Sequence, residues 1–378
     1  MNRRKFDQLI ATACMALIAK PESIIAKCLH NSDDDFLLGG DISMLQRIEK
    51  AGGVFNLNKN PKDLIEIFKN HGCNCFRLRL FVNPNYENAE VNDLNYTLQM
   101  ASRIKKAGKR LLLDLHYSDT FAGPGKQYKP SAWSNLDFNS LLKKVESYSA
   151  EVIKKFNREN LLPDIVQIGN EISSGILWPD GSIKGDDRQN PKQWQKFTQL
   201  LKAGIGGIRN ALNSADHVRI MLHSATGGDV NETQVFFNKI KEYSVNYDII
   251  GLSYYPWHHG SLEDLERNLK QTVRLFQKDI VIVETAYPWR YYDDWKMKKE
   301  KKKKHMIWPM TPKGQKQFLS ELITTVLSIP EGRGKGVIWW YPESIPVNNL
   351  RVWRNGAMAL FDQDGNMLPA VKAFSKVK

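Results

Sequence analysis

The sequence predicts an α/β protein, a single (β/α)8 barrel, on three observations. From about residue 35 onward, short runs rich in Val, Ile and Leu alternate with stretches of helical period, the mark of strands buried between helices. There are eight such runs, and no Gly-rich phosphate loop follows the first, which disfavours an open doubly wound sheet. Two of the runs carry a glutamate at their polar end: residues 163–171 (PDIVQIGNE) and 278–289 (KDIVIVETAYPW). In a closed parallel barrel the carboxyl ends of the strands are where active sites are assembled.

Taken in order, the strands are expected at 36–40, 74–80, 110–116, 164–169, 217–223, 247–253, 279–284 and 336–341. Helical stretches between them include 61–71, 93–107, 138–157, 191–211, 262–276 and 312–327. Two helix starts are well signalled, because Asn190-Pro191 and Thr311-Pro312 each supply a capping side chain and a first-turn proline. On this register Glu171 falls on the fourth strand and Glu284 on the seventh. The other strand ends are also polar or aromatic: Gly40-Asp41, Arg77 and Arg79 with Asn83, His116 to Asp119, His223, Tyr254 to His259, and Trp339-Trp340-Tyr341.

At 378 residues and 42% hydrophobic, the chain is long enough for one barrel core, so no second domain is required. Residues 1–28 read as an export signal, with Arg3, Arg4 and Lys5 before an apolar stretch over 9–19, too short to span a bilayer. Cys28, followed by Asp33, Asp34 and Asp35, resembles a lipoprotein acylation site, so membrane attachment through an acylated Cys28 is one expectation; Lys27 departs from the small residue such sites prefer. The barrel then occupies 29–378, and the protein is expected to be periplasmic, surface-attached or secreted, and a monomer. Cys73 and Cys75 are placed poorly for a mutual bridge and are expected as buried thiols. The net charge of +13 is partly local, in residues 296–304 (KMKKEKKKK), and no nucleic-acid-binding motif accompanies it. Nucleic acid is therefore excluded as a partner.

Two carboxyl groups facing each other are what glycosidic bond cleavage requires. The leaving oxygen needs a proton, and the oxocarbenium-like transition state needs negative charge close by, so one carboxyl stays protonated and one ionised. Glu171, with Asn170 beside it to hydrogen-bond a sugar hydroxyl, suits the acid/base, and Glu284 suits the nucleophile. Ordinary strand-end salt bridges are the bland alternative.

The segments LLGGDISMLQRIEKAGGVF, FRLRLFVNP, LLLDLHYSDTFAGPGKQYKPSAW, VQIGNEISSGILWPDG, MLHSATGGD, DIIGLSYYPWHHGSLEDLERNL, VIVETAYPW and GVIWWYPE resemble successive blocks of glycoside hydrolase family 53, in that family's order. The resemblance implies a retaining barrel hydrolase, an endo-β-1,4-galactanase acting on pectic galactan and type I arabinogalactan. It implies Glu171 as acid/base, Glu284 as nucleophile and Asn170 as the 2-hydroxyl partner. It also implies Arg79 as a group steadying the nucleophile, and Tyr254 or Tyr255 as the nucleophile's hydrogen-bond donor. Asp41, His116, Asp119, Trp178, His223, Asp229, Trp257 and Trp340 follow as candidates for sugar contacts, each with loop support as its alternative.

Two departures from the family pattern bear on specificity. Phe121-Ala122-Gly123-Pro124 stands where a Trp-Ala-Asp-Pro run is usual, and His258 stands where an aromatic ring is common. Asp362-Gln363-Asp364-Gly365 lacks the oxygen ligands of a tight calcium site, so no cofactor or metal is expected. Two other readings stay open at this level: a barrel hydrolase of different β-glycan specificity, and a non-catalytic glycan-binding protein of a surface uptake system. A metal-dependent amidohydrolase is disfavoured, because the first strand has no paired histidines.

Overall fold

The computed structural model describes residues 36–86, 91–292 and 304–377. The expected export segment, Cys28 and all but the last residue of the lysine run lie outside these. Eight parallel strands close into a barrel: β1 Leu37–Asp41, β2 Cys75–Leu80, β3 Arg110–Leu115, β4 Ile165–Ile168, β5 Arg219–Ser224, β6 Ile249–Tyr254, β7 Asp279–Thr285 and β8 Gly334–Trp340. The closure is made between β8 and β1, where Leu37 lies beside Gly336 and Asp41 beside Trp340. The expected strands are all present, and the fold is a (β/α)8 barrel.

The longer helices among the described residues are α1 Leu45–Lys50, α2 Leu64–Asn70, α3 Leu94–Lys106, α4 Phe138–Arg158, α5 Pro191–Asn210, α6 Val230–Glu242, α7 Leu262–Phe276 and α8 Pro312–Leu327. Short polar side chains start seven of them. Asp63, Asp93, Asp137, Asn190, Asp229, Ser261 and Thr311 each accept a hydrogen bond from a first-turn backbone N–H, satisfying donors that the helix itself leaves unpaired. Both Asn190 and Thr311 cap as their sequence suggests. The sequence reading omitted α1 and α6. In α6 only Thr233, Phe236, Phe237 and Ile240 are buried, a stripe too narrow to stand out among its polar residues.

Along the strands the barrel interior changes character, and this change positions the site. Leu37, Cys75, Leu112, Ile165, Met221, Ile249, Val281 and Ile338 form one apolar cluster. Two residues further on, the same face of several strands carries Arg77, Asp114, Gln167 and His223, all fully buried. Alternation from Val281 would turn Glu284 to the outer face. A bulge prevents this: Leu252 pairs with Ile282, yet the next residue, Ser253, pairs with Glu284, so Val283 is an extra residue. The insertion re-aims Glu284 inward.

Around the barrel, α4 and α5 pack closely because Gly207 has no side chain. A Cβ there would sit 2.1 Å from the Glu146 carbonyl oxygen, whereas one on neighbouring Gly206 would meet nothing within 4 Å. We therefore expect opposite effects from two alanine substitutions in one helix turn. Gly207→Ala should destabilise by about 1–3 kcal/mol through overpacking, and Gly206→Ala should stabilise by roughly 0.5–1 kcal/mol through helix propensity. Urea unfolding midpoints of the two variants check this, and shifts of the same sign would contradict it.

Candidate active site

Glu171 and Glu284 face each other across the mouth of the barrel. Carboxylate oxygens of the two, together with a ring nitrogen of His223, lie within 4.8 Å of one another. Glu171 stands just past β4 in the left-handed backbone region, with φ 48° and ψ 52°. That conformation is costly for a side chain with a Cβ and is concentrated at functional sites. Glu284 is held on β7 by the bulge.

The two carboxyl groups have different surroundings. Glu284 Oε1 accepts from the Tyr255 hydroxyl at 2.7 Å, and its Oε2 lies 3.8 Å from Arg77 Nη1. Glu171 Oε1 accepts from the Ser253 hydroxyl at 2.8 Å. Burial raises both above the ordinary carboxyl range, and for Glu284 the facing Glu171 adds to the rise. The pair therefore retains a proton that isolated glutamates would lose at neutral pH. Arg77 and a hydroxyl donor act against this rise at both carboxyl groups, the donor being Tyr255 at Glu284 and Ser253 at Glu171.

Arg77 organises this floor. Its guanidinium donates to Asp41 Oδ2 at 2.8 Å, to Asp114 Oδ2 at 2.7 Å and to Asn170 Oδ1 at 2.7 Å. Burial pushes the Asp114 carboxyl up, but His116 and Arg77 outweigh it and hold it below the ordinary range. Asn170 is fixed at its other end as well, where Nδ2 donates to the Ala122 carbonyl at 3.0 Å.

The remaining candidates from the sequence divide into groups. Of the two tyrosines only Tyr255 reaches Glu284; the Tyr254 hydroxyl donates instead to the Gly260 carbonyl at 3.1 Å. Arg79 does not steady Glu284: its Nη1 donates to the Tyr341 hydroxyl at 2.6 Å, and the guanidinium packs against the rings of Phe121, Trp340 and Tyr341. The neighbour one strand pleat earlier, Arg77, lies beside the carboxylate. Asp41, His116 and His223 are buried beneath the cleft, where they support rather than line it. Asp119 accepts from the backbone of Asn83 and Ser131, tying two loops together. Asp229 caps α6 and borders an open groove of about 570 Å³ with Ser174, Arg188 and His258. Trp257 packs against Tyr255 with ring centroids 5.0 Å apart, and Trp340 lies over Arg77 and Arg79. Trp178 sits half-buried near the rim, its Nε1 donating to the Ser174 carbonyl.

Sequence reasoning assigned no role to Arg77, Asp114, Gln167 or Ser253. The available signal was a polar residue inside an apolar strand run, as in RLLLDL and IVQIGN, since buried charge is rare unless paired. Gly123 is informative for its missing side chain. A Cβ there would lie 3.2 Å from Glu171 Oε2 and within 4 Å of nothing else, so the space between Gly123 and this oxygen is open.

Below the site, Glu343 is fully buried, its Oε1 accepting from the Met44 N–H at 2.9 Å. Burial, with Asp41 nearby, raises it from 4.5 to about 8. The folded state thus binds this proton more tightly than the unfolded chain. Its contribution to stability is complete below about 4.5 and is lost as the pH rises through about 8, at up to about 1.4 kcal/mol per pH unit. Glu343→Gln is expected to gain stability relative to the native chain progressively across that window, measured as urea midpoints at a series of pH values. Parallel curves for the two proteins would rule out this role.

The family model described as Glycosyl hydrolase family 53 matches residues 37–374. The chain is 30% identical over 352 residues to an arabinogalactan endo-β-1,4-galactanase of Cellvibrio japonicus, covering 90% of each chain. It is 33% identical over 312 residues to arabinogalactan endo-β-1,4-galactanase A of Aspergillus niger, covering 80% of this chain and 84% of the relative. Among solved structures, the family 53 catalytic domain of Ignisphaera aggregans superposes with a TM-score of 0.83 at 31% identity, covering 91% of this chain and 96% of that domain. A barrel with two facing carboxyl groups at its carboxyl end, matched over nearly its whole described length, belongs to glycosyl hydrolase family 53 and is a glycoside hydrolase.

Proposed function

We propose that the protein is a retaining endo-β-1,4-galactanase, with Glu171 as acid/base and Glu284 as nucleophile, acting on pectic galactan and type I arabinogalactan. The observation that carries the reading is the close facing of Glu171 and Glu284, with Glu284 hydrogen-bonded by the Tyr255 hydroxyl and 3.8 Å from Arg77. Retaining glycosidases set their carboxyl groups about 5 to 5.5 Å apart, too close for a water to enter between the second carboxylate and the sugar. The substrate class follows from the galactanases that the chain resembles.

In the first half-reaction the ionised Glu284 attacks the anomeric carbon while Glu171 protonates the departing oxygen. The bond to the leaving chain breaks and a glycosyl ester on Glu284 forms. In the second half-reaction Glu171, now ionised, takes a proton from water, the water oxygen attacks the anomeric carbon, and Glu284 is released. Asn170, held by Arg77 at Oδ1 and by the Ala122 carbonyl at Nδ2, is assigned the sugar 2-hydroxyl on its position beside Glu171. Export, with or without acylation at Cys28, remains part of this proposal on the strength of residues 1–28, and the mass of the mature chain recovered from cells tests it.

Incubation with linear β-1,4-galactan, with mannan and cellulose alongside, should release short galacto-oligosaccharides from galactan alone. Proton NMR of the first-formed products should show the β-anomer; an initial α-anomer would overturn the retaining mechanism. Glu284→Ala should abolish turnover while leaving oligosaccharide binding intact. Glu171→Ala should lose about 10²–10⁴-fold on galactan but far less in the first half-reaction of an aryl galactoside with a good leaving group. Equal losses on the two substrates would remove Glu171 from the acid role.

A further inference from the structure

His223 is fully buried and has no access to a sugar. Its Nε2 lies 2.8 Å from the Ser253 hydroxyl, and that hydroxyl lies 2.8 Å from Glu171 Oε1. The three side chains come from β5, β6 and the end of β4, so the chain of contacts crosses three strands of the barrel.

Its chemistry is unusual in having no fixed direction. His223 Nδ1 faces two donors, the Glu171 backbone N–H at 3.3 Å and the Gln167 amide at 3.1 Å, and an acceptor, Asn170 Oδ1 at 3.0 Å. Burial and the positive charge of Arg77 keep the ring neutral. Either tautomer of a neutral imidazole thus finds a partner at Nδ1, and Nε2 is correspondingly a donor or an acceptor. The serine hydroxyl also does both. When Nε2 carries the hydrogen, Ser253 donates to Glu171 Oε1; when Nδ1 carries it, Ser253 donates to Nε2 and accepts from a protonated Glu171.

We propose that Ser253 and His223 are a positioning pair of reversible polarity, which fixes Glu171 in place in both of the protonation states that its two half-reactions require. The inference rests on the reading of Glu171 as acid/base. A lysine or arginine behind Oε1, being a cation with donors only, would favour the ionised state at the expense of the protonated one. The pair anchors Oε1 and leaves Oε2, the oxygen beside Gly123, turned to the cleft.

The test is Ser253→Ala with Ser253→Thr as its conservative partner. Ser253→Ala is expected to lower kcat on galactan by about 10–100-fold with KM within about threefold, since the interaction is made to the catalytic group and not to the sugar. The basic limb of the pH profile should move up, because the charge-assisted hydrogen bond that Ser253 donates to ionised Glu171 is stronger than the one it accepts from the protonated acid. The other charged and titratable groups facing Glu171 are Glu284, Arg77, Asp114 and His223, and the substitution leaves all of them in place. Ser253→Thr should restore most of kcat and return the limb. Thermal unfolding separates this from a packing defect: Ser253→Ala that melts with the native chain yet shows the kcat loss and the shifted limb supports the pair. Native kcat and an unmoved limb in Ser253→Ala, while Glu171→Ala still discriminates between leaving groups, would overturn the pair and leave the acid/base assignment standing. Absence of leaving-group discrimination in Glu171→Ala would instead remove the reading on which the pair rests.

Discussion

The site depends on one buried cation, Arg77. Taking a guanidinium and several carboxylates out of water is costly, and the cost is recovered only when every charge has a close partner and every donor an acceptor. Arg77 meets that condition by spending its hydrogen bonds on Asp41, Asp114 and Asn170, which arrive on three different strands. The same guanidinium is then close enough to Glu284 to favour its ionised form. Arg79, stacked among aromatic rings, holds the neighbouring layer. Two cations thus stand among two aspartates directly beneath the glutamate pair.

That arrangement explains how far the sequence was legible. The barrel was visible because each strand is a short apolar run between amphipathic helices, and the strand ends were visible because polarity changes abruptly there. Glu171 and Glu284 stood out at such changes. The layer beneath them was obscured by the same pattern. Arg77, Asp114 and Gln167 interrupt apolar runs, and a single polar residue in a run reads as noise until its partner on the next strand is known. Arg79 drew attention in place of Arg77 because both share a face of β2, and only the depth within the barrel separates them.

The bulge in β7 is a second feature that pattern alone does not disclose. A run such as DIVIVET is equally compatible with a regular strand, in which Glu284 would point at the helices. Only the pairing with β6 shows that Val283 is the extra residue. The glutamate is visible in the sequence, but the geometry that turns it inward is non-local.

The left-handed backbone at Glu171 has an implication for how such a protein can change over time. A side chain in that region carries a steric cost of about 1–2 kcal/mol, which glycine would not incur. Selection for stability alone would therefore favour replacing the very residue proposed as the acid/base. A descendant released from hydrolysis, kept only to hold glycans, would be expected to drift to glycine there and to become a sturdier protein. On the proposed role, glutamate in that strained position gives up stability for turnover.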